Sequence, residues 1–289
     1  MSTFRPVAFV ADPTAAEEAE GVTIRRTVGG ERLVLLDPYL LLDHLYAPAG
    51  TEPRAVGFPR HPHRGIETLT YVFTGGKVHH RDSLGNDDAI GAGGSQWMTA
   101  GGGIFHEEML EAAPGEEVEA LQIWFNLPAA EKMKRPAYQA AKDGDVPEVA
   151  LPGGASVRVV SGTVGGATGP FTGIAVRPTY VDVRLPAGAS VELPAPAGET
   201  AFAYVVRGGV TFGDGAGAKA AAGPQLAVFG TGGDTVRATA SGDGEARFVF
   251  VSARPLNEPV LQYRSLVLNT VDQVREALKD IENGTFAKS

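Results

Sequence analysis

The 289-residue chain contains no cysteine. That absence excludes disulfides, thiolate-held zinc, iron–sulfur clusters and cysteine nucleophiles together, so any metal must be held by nitrogen and oxygen. Long apolar stretches are missing as well: no run approaches the roughly 18 apolar residues of a spanning helix. Met1-Ser2-Thr3-Phe4-Arg5-Pro6 does not read as a charged leader followed by an apolar export segment. A cytoplasmic protein without membrane association is expected. Nor is there a basic surplus, the formal net charge being −9. Binding to a phosphate backbone draws affinity from clustered Lys and Arg, so direct nucleic-acid binding is not expected. The densest basic group, Lys132, Lys134 and Arg135, reads as a solvated face.

Histidine is scarce, and all six lie between His44 and His106. Glycine and proline are plentiful, with 38 and 20 residues and no fixed period, as many short strands joined by turns would require. A hydrophobic content of 43% is enough to bury a core, and the length suggests about two domains. The composition points to an all-β protein.

An internal repeat supports two domains. Thr70-Tyr71-Val72-Phe73-Thr74-Gly75-Gly76 is echoed by Ala203-Tyr204-Val205-Val206-Arg207-Gly208-Gly209. Gly94-Ser95-Gln96-Trp97-Met98 is answered by Gly223-Pro224-Gln225-Leu226-Ala227, and Ala120–Phe125 by Arg247–Val251. Three segments kept in order at similar spacing indicate a duplicated β-domain. The offsets carry His61 and His63 onto Pro194 and Pro196, and His106 and Glu108 onto Thr235 and Arg237. The second copy thus has no counterpart to any candidate ligand. The expected division is 1–135, a barrel with a metal site, and 136–289, a barrel without ligands that ends in a helix over 270–283. Thr270 with Gln273 reads as a capping box, Val271, Val274, Leu278 and Ile281 share a face, and Gly284 suits the left-handed C-terminal position.

The histidine cluster is where chemistry is expected. On a strand, residues two apart project to the same side, so His61 and His63 form one pair of donors and His106 and Glu108 another. Gly101-Gly102-Gly103, just before the second pair, permits a close approach of backbone. Three imidazoles and a carboxylate suit Fe(II), Mn(II), Ni(II), Co(II) or Zn(II) rather than Ca(II), and on an octahedral ion they leave two positions open. Glu67, four residues after His63, competes with Glu108 by spacing, whereas Glu107 lies on the opposite face. His79 and His80 point to opposite faces, so at most one can enter the cavity. His44 reads as a core or dimer-contact residue.

His61-Pro62-His63-Arg64-Gly65-Ile66-Glu67-Thr68 and Gln96-Trp97-Met98-Thr99-Ala100-Gly101-Gly102-Gly103-Ile104-Phe105-His106-Glu107-Glu108-Met109 closely resemble the signature of the pirin family of bicupins. Trp124-Phe125-Asn126-Leu127-Pro128 and Val267-Leu268-Asn269-Thr270 extend the resemblance over nearly the whole chain, while Tyr263-Arg264-Ser265-Leu266 departs from a more usual His-Gly-Pro-Phe-like segment. The resemblance implies two jelly-roll-like cupin barrels packed face to face with a short C-terminal helix. It further implies one divalent ion, Fe(II) first, held in the N-terminal barrel by His61, His63, His106 and Glu108, which favours Glu108 over Glu67. The implied activity is quercetin 2,3-dioxygenase-like: oxygenation of flavonols or other enolisable aromatics by O₂, with Glu108 taking the substrate proton. The family's other implied role is an iron-dependent redox sensor that acts as regulatory partner of a transcription factor or metabolic enzyme.

Overall fold

The computed structural model describes residues 3–19 and 21–287. It is an all-β structure whose one α-helix, among the described residues, lies near the C-terminus. Two compact units are present, and neither is a single stretch of sequence. The first contains Ala15–Asp145, Gly173–Val176 and the chain from Leu256 onward; the second contains the chain up to Thr14 together with Val146–Thr172 and Arg177–Pro255. This differs from a contiguous division at 135/136. The reason is strand pairing: Val7–Ala11 runs antiparallel to Gln225–Phe229 and completes a sheet of the second unit.

The units repeat one topology. In the first, a seven-stranded sheet runs in the order Ala137–Ala141, Ser95–Thr99, Ile66–Gly75, Val118–Asn126, Tyr39–Ala47, Thr23–Val28, Thr14–Ala16. A four-stranded sheet runs Arg54–His63, Ile104–Ala112, Lys77–Asp82, Asp87–Gly91. In the second unit the seven-stranded order is Val7–Ala11, Gln225–Phe229, Thr200–Arg207, Ala246–Ala253, Thr179–Leu185, Ala155–Ser161, Glu148–Leu151. Its four-stranded order is Ser190–Pro194, Thr235–Ser241, Gly209–Phe212, Lys219–Ala222. The repeated sequence segments occupy matching strands in the two sheets, as duplication requires.

Two opposed sheets need side chains that alternate between interior and solvent. Ile104–Ala112 does so without interruption, burying Ile104, His106, Glu108, Leu110 and Ala112. Lys77–Asp82 buries Val78, His80 and Asp82 and turns Lys77, His79 and Arg81 outward. The interior of the second unit is instead apolar, with Val191, Leu193, Val236, Ala238, Phe212 and Phe248 in one cluster.

The helix spans Val271–Glu282, with Thr270 and Gln273 forming the capping box and Gly284 at φ +70°. Its buried residues are Val274 and Ala277, packed with Leu266, Leu268 and Phe286 of the first unit. Val271, expected on the buried face, is 53% exposed. Gly103 lies beside this tail: at φ +141°, an added Cβ would stand 2.2 Å from the Phe286 carbonyl oxygen. Only glycine fits there, and the close approach it permits is to the C-terminal tail.

Lys132 corrects the expectation of a solvated basic face. Its Nζ donates to Gly65 O at 2.9 Å, Asn126 Oδ1 at 2.7 Å and Val267 O at 2.9 Å, and the side chain is buried. Burial pulls its pKa down to about 8, with Glu258 acting weakly in the other direction. Lys134 and Arg135 do reach solvent, Lys134 pairing with Glu131 at 2.9 Å.

Candidate metal centre

Two antiparallel neighbours build the centre. Arg54–His63 and Ile104–Ala112 place His61 opposite His106, and the register slips between His106 and Glu108 so that Glu108 faces Phe58. This bulge puts one extra residue on the histidine strand and re-aims its side chains locally.

His61, His63 and His106 converge. His61 Nε2 stands 2.9 Å from His63 Nε2 and 3.1 Å from His106 Nε2. Their ring centroids are 4.5 to 4.8 Å apart. Donors bound cis to one another at about 2.1 Å on an octahedral ion lie about 3.0 Å apart, so this spacing fits a single metal. His61 Nδ1 lies 2.8 Å from the Pro59 carbonyl. A carbonyl only accepts, so His61 carries its proton on Nδ1 and turns a lone pair toward the centre. Burial, with smaller contributions from the neighbouring imidazoles, holds the pKa values of His63 and His106 well below the usual histidine range. Neutral imidazole is the metal-binding form.

Glu108 shares the inward face of its strand with His106, but its oxygens are occupied. Oε1 accepts from Gln96 Nε2 at 2.5 Å and Thr70 Oγ1 at 3.1 Å; Oε2 accepts from Gln122 Nε2 at 2.6 Å. Its carboxylate groups with His80 and His106, whereas the three-histidine cluster forms without it. Glu67 is elsewhere, accepting from Thr99 Oγ1 at 2.8 Å and the Ala175 amide at 3.2 Å. Burial raises its pKa. Glu107 points out to Arg81 at 3.0 Å, and His79 to Asp87 and Glu111. His44 is a core residue, its Nε2 at 3.0 Å from Glu119.

A cavity of about 560 Å³ opens onto the centre and is walled by His61, Glu108, Gln122, Trp124, Phe58 and Arg264. That volume is ordinary for a small-molecule pocket. Trp124 meets the His63 ring edge-on at 4.9 Å between centroids. On another wall Arg26 grips Asp43 through Nε at 2.8 Å and Nη2 at 2.6 Å, which leaves Asp43 charge-paired inside the pocket.

Several polar residues of the centre carry no sequence signature of their own. Gln96, Gln122, Thr70, Tyr138 and Asp82 surround the candidate ligands. Tyr138 donates its hydroxyl to Gln96 Oε1 at 3.0 Å and stacks on His80 at 4.2 Å between centroids. The alternation along Lys77–Asp82 is the one signal that separates His80, facing in, from His79. The second unit has Pro194 and Thr235 as Cα partners where the first has His61 and His106, as the sequence offsets anticipate. Among the described residues, metal-capable groups of three or more side chains occur only in the first unit.

Similarities to known proteins agree with this geometry. Residues 21–125 match the pirin family model, and residues 180–287 match the pirin C-terminal cupin domain. A pirin-like protein of Caulobacter vibrioides is 38% identical over 98% of this chain and 99% of its own length. Rat pirin is 39% identical, over 92% of this chain and 89% of its own. The crystal structure of quercetin 2,3-dioxygenase from Acinetobacter baumannii superposes with a TM-score of 0.87 at 31% identity, covering 98% of this chain and 99% of that one. With both halves matched in order, the chain belongs to the pirin family and is built from its N- and C-terminal cupin domains.

Proposed function

We propose that this chain is a metal-dependent dioxygenase of quercetin-like flavonols or other enolisable aromatics, with one divalent ion, Fe(II) first and Mn, Ni, Co or Zn as substitutes. The observation that carries this reading is the convergence of His61, His63 and His106, with His61 Nε2 about 3 Å from a nitrogen of each of the other two, at the wall of a ligand-sized cavity. Lone pairs directed at one point repel unless a cation lies among them. A bound ion would supply Lewis acidity toward a substrate hydroxyl and a path for electrons to O₂.

The chain's own residues do the rest. His61, His63 and His106 hold the ion, and Glu108 is the carboxylate of the ligand set and the acceptor of the substrate hydroxyl proton. Gln96, Gln122 and Thr70 keep the Glu108 carboxylate turned toward the cavity side of its strand. Phe58 and Trp124 give the cavity apolar walls against which an aromatic ring packs and water is excluded. The relatedness to the Acinetobacter quercetin 2,3-dioxygenase supports the substrate class.

The test is oxygen uptake with quercetin by protein purified without oxygen and loaded with Fe(II). Uptake should stop on chelation, return with metal and be absent in His61→Ala. Fully loaded protein that consumes no oxygen with quercetin and related enolisable aromatics would overturn the enzymatic reading.

A further inference from the structure

Beside the three histidines lies a fourth that faces the interior and belongs to no ligand set proposed above. His80 is fully buried and sits between His106 and Asp82. Its Nδ1 is 3.4 Å from His106 Nδ1, and its Nε2 is 3.1 Å from Asp82 Oδ2. Its ring is stacked on Tyr138 at an interplanar angle of 16°, so it cannot rotate without breaking that contact. Asp82 is fixed in turn: Oδ1 accepts from the amides of Leu84 at 2.9 Å and Asn86 at 3.1 Å, and Oδ2 from Asn86 Nδ2 at 2.8 Å.

We infer that Asp82 and His80 are positioning residues that set the tautomer of His106, holding its proton on Nδ1 and its Nε2 lone pair toward the metal position. This rests on the metal-binding reading above and extends it to the side chains behind the ligands. The chain of hydrogen bonds runs consistently in one direction. A carboxylate surrounded by donors accepts from His80 Nε2–H, and a His80 ring carrying that one proton has its lone pair on Nδ1. That lone pair accepts from His106 Nδ1–H, and the other His106 nitrogen is then free to bind. Reversing the chain would set the His80 Nε2 lone pair against Asp82 Oδ2, two acceptors at hydrogen-bonding distance. The 3.4 Å contact between rings is long for such a bond and has room to shorten when His106 is drawn toward an ion. His61 achieves the same orientation more simply, through the Pro59 carbonyl.

His80 and Asp82 lie on one strand at the same inward spacing as the ligand pairs, which places both behind His106 on the neighbouring strand. A second ion at the His80, His106 and Glu108 group is disfavoured, because Asp82 already engages His80 and the other two residues belong to the ligand set of the first ion.

Two measurements test this on the full-length protein. The first is ¹⁵N–¹H NMR of histidine-labelled, metal-free protein at pH 8, where the proton on His106 is expected on Nδ1 in the wild type and on Nε2, or exchanging between nitrogens, in Asp82→Asn and His80→Phe. The second is Zn(II) affinity by competition with a chromophoric chelator. His80→Phe retains the ring stacked on Tyr138 but loses both nitrogens, and is expected to bind Zn(II) about 10–100-fold more weakly. His80→Gln, which can accept from His106 and donate to Asp82, is expected to recover most of that loss, a recovery that a purely space-filling role for His80 would not produce. A wild-type His106 without its proton on Nδ1 overturns the inference, whatever the metal result. So does Zn(II) binding by His80→Phe and Asp82→Asn within twofold of wild type. A wild type that binds no Zn(II) but shows the expected tautomer would refute the metal reading and leave the positioning role intact.

Discussion

Replacing Lys132 with methionine removes an ammonium while keeping most of its apolar stem, and the structure sets the cost. Three acceptors lose a donor: Gly65 O, Asn126 Oδ1 and Val267 O. Gly65 O retains the Leu127 amide at 3.2 Å, so the main loss falls on the other two. A buried acceptor left without its partner costs about 1–3 kcal/mol. The ammonium's own burial, visible in a pKa pulled down to about 8, offsets part of that sum. A net loss of about 3 kcal/mol is expected. The assay is urea unfolding followed by tryptophan fluorescence, because the chain's two tryptophans, Trp97 and Trp124, both lie in the first unit and report on it alone. With a slope of about 2–3 kcal/mol/M, the midpoint should fall by roughly 1–1.5 M with the slope unchanged. Lys134→Ala, which breaks a partly exposed pair with Glu131 and an exposed hydrogen bond to Gly173 O, should cost about 1 kcal/mol. A Lys132→Met midpoint no lower than that of Lys134→Ala would refute the buried-staple account.

Acid should act on the metal centre with a definite sign. His63 and His106 have folded pKa values below the unfolded value of about 6.5, so the unfolded chain binds more protons in that window. Their contribution to stability is present above about pH 6.5 and lost as pH falls toward the depressed values; a metal-free protein more stable at pH 5 than at pH 7 would contradict it. Metal release on acidification should likewise have its midpoint below 6.5, read by chelator-free Co(II) absorbance. Glu108→Ala should lower metal occupancy and oxygen uptake, whereas Glu67→Gln, altering a side chain held by Thr99 and Ala175, should leave occupancy intact; the reverse ranking, by elemental analysis, would displace Glu108 from the ligand set. Occupancy should saturate at about one ion per chain, and a second tight ion would contradict the apolar interior of the second unit.

The parts of this molecule legible in its sequence are those governed by period. The spacing of two that pairs His61 with His63, and His106 with Glu108, is a property of any extended strand, and the repeat exposes a second barrel because like strands need like turns. The Pro194–Thr235 pairing follows the same logic. What could not be read depends on distant register. Lys132 sits in a basic cluster and is distinguished only by the three carbonyls that folding brings around it. Val7–Ala11 joins Gln225–Phe229 across more than two hundred residues, and no local pattern announces that. The extra residue between Phe58 and His61 that re-aims the centre is likewise visible only once the strands are paired.

Asymmetry between the two cupin domains has a physical basis in the same pairing. A barrel interior that holds three imidazoles and a carboxylate must satisfy most of their polar atoms, since an unpaired buried group costs as much as several apolar contacts contribute. The first domain meets most of that demand with Pro59 O, His80, Asp82, Gln96, Gln122 and Thr70, contributed by separate strands and the turns beside them, and leaves His63 Nδ1 without a hydrogen-bond partner. The second domain, in the equivalent sheets, points Val191, Leu193, Val236 and Ala238 inward and needs no such support. Grafting the ligands alone onto Pro194 and Thr235 would therefore bury imidazoles without partners. The candidate centre is a property of two sheets together, and a histidine pair without the residues behind it would not reproduce it.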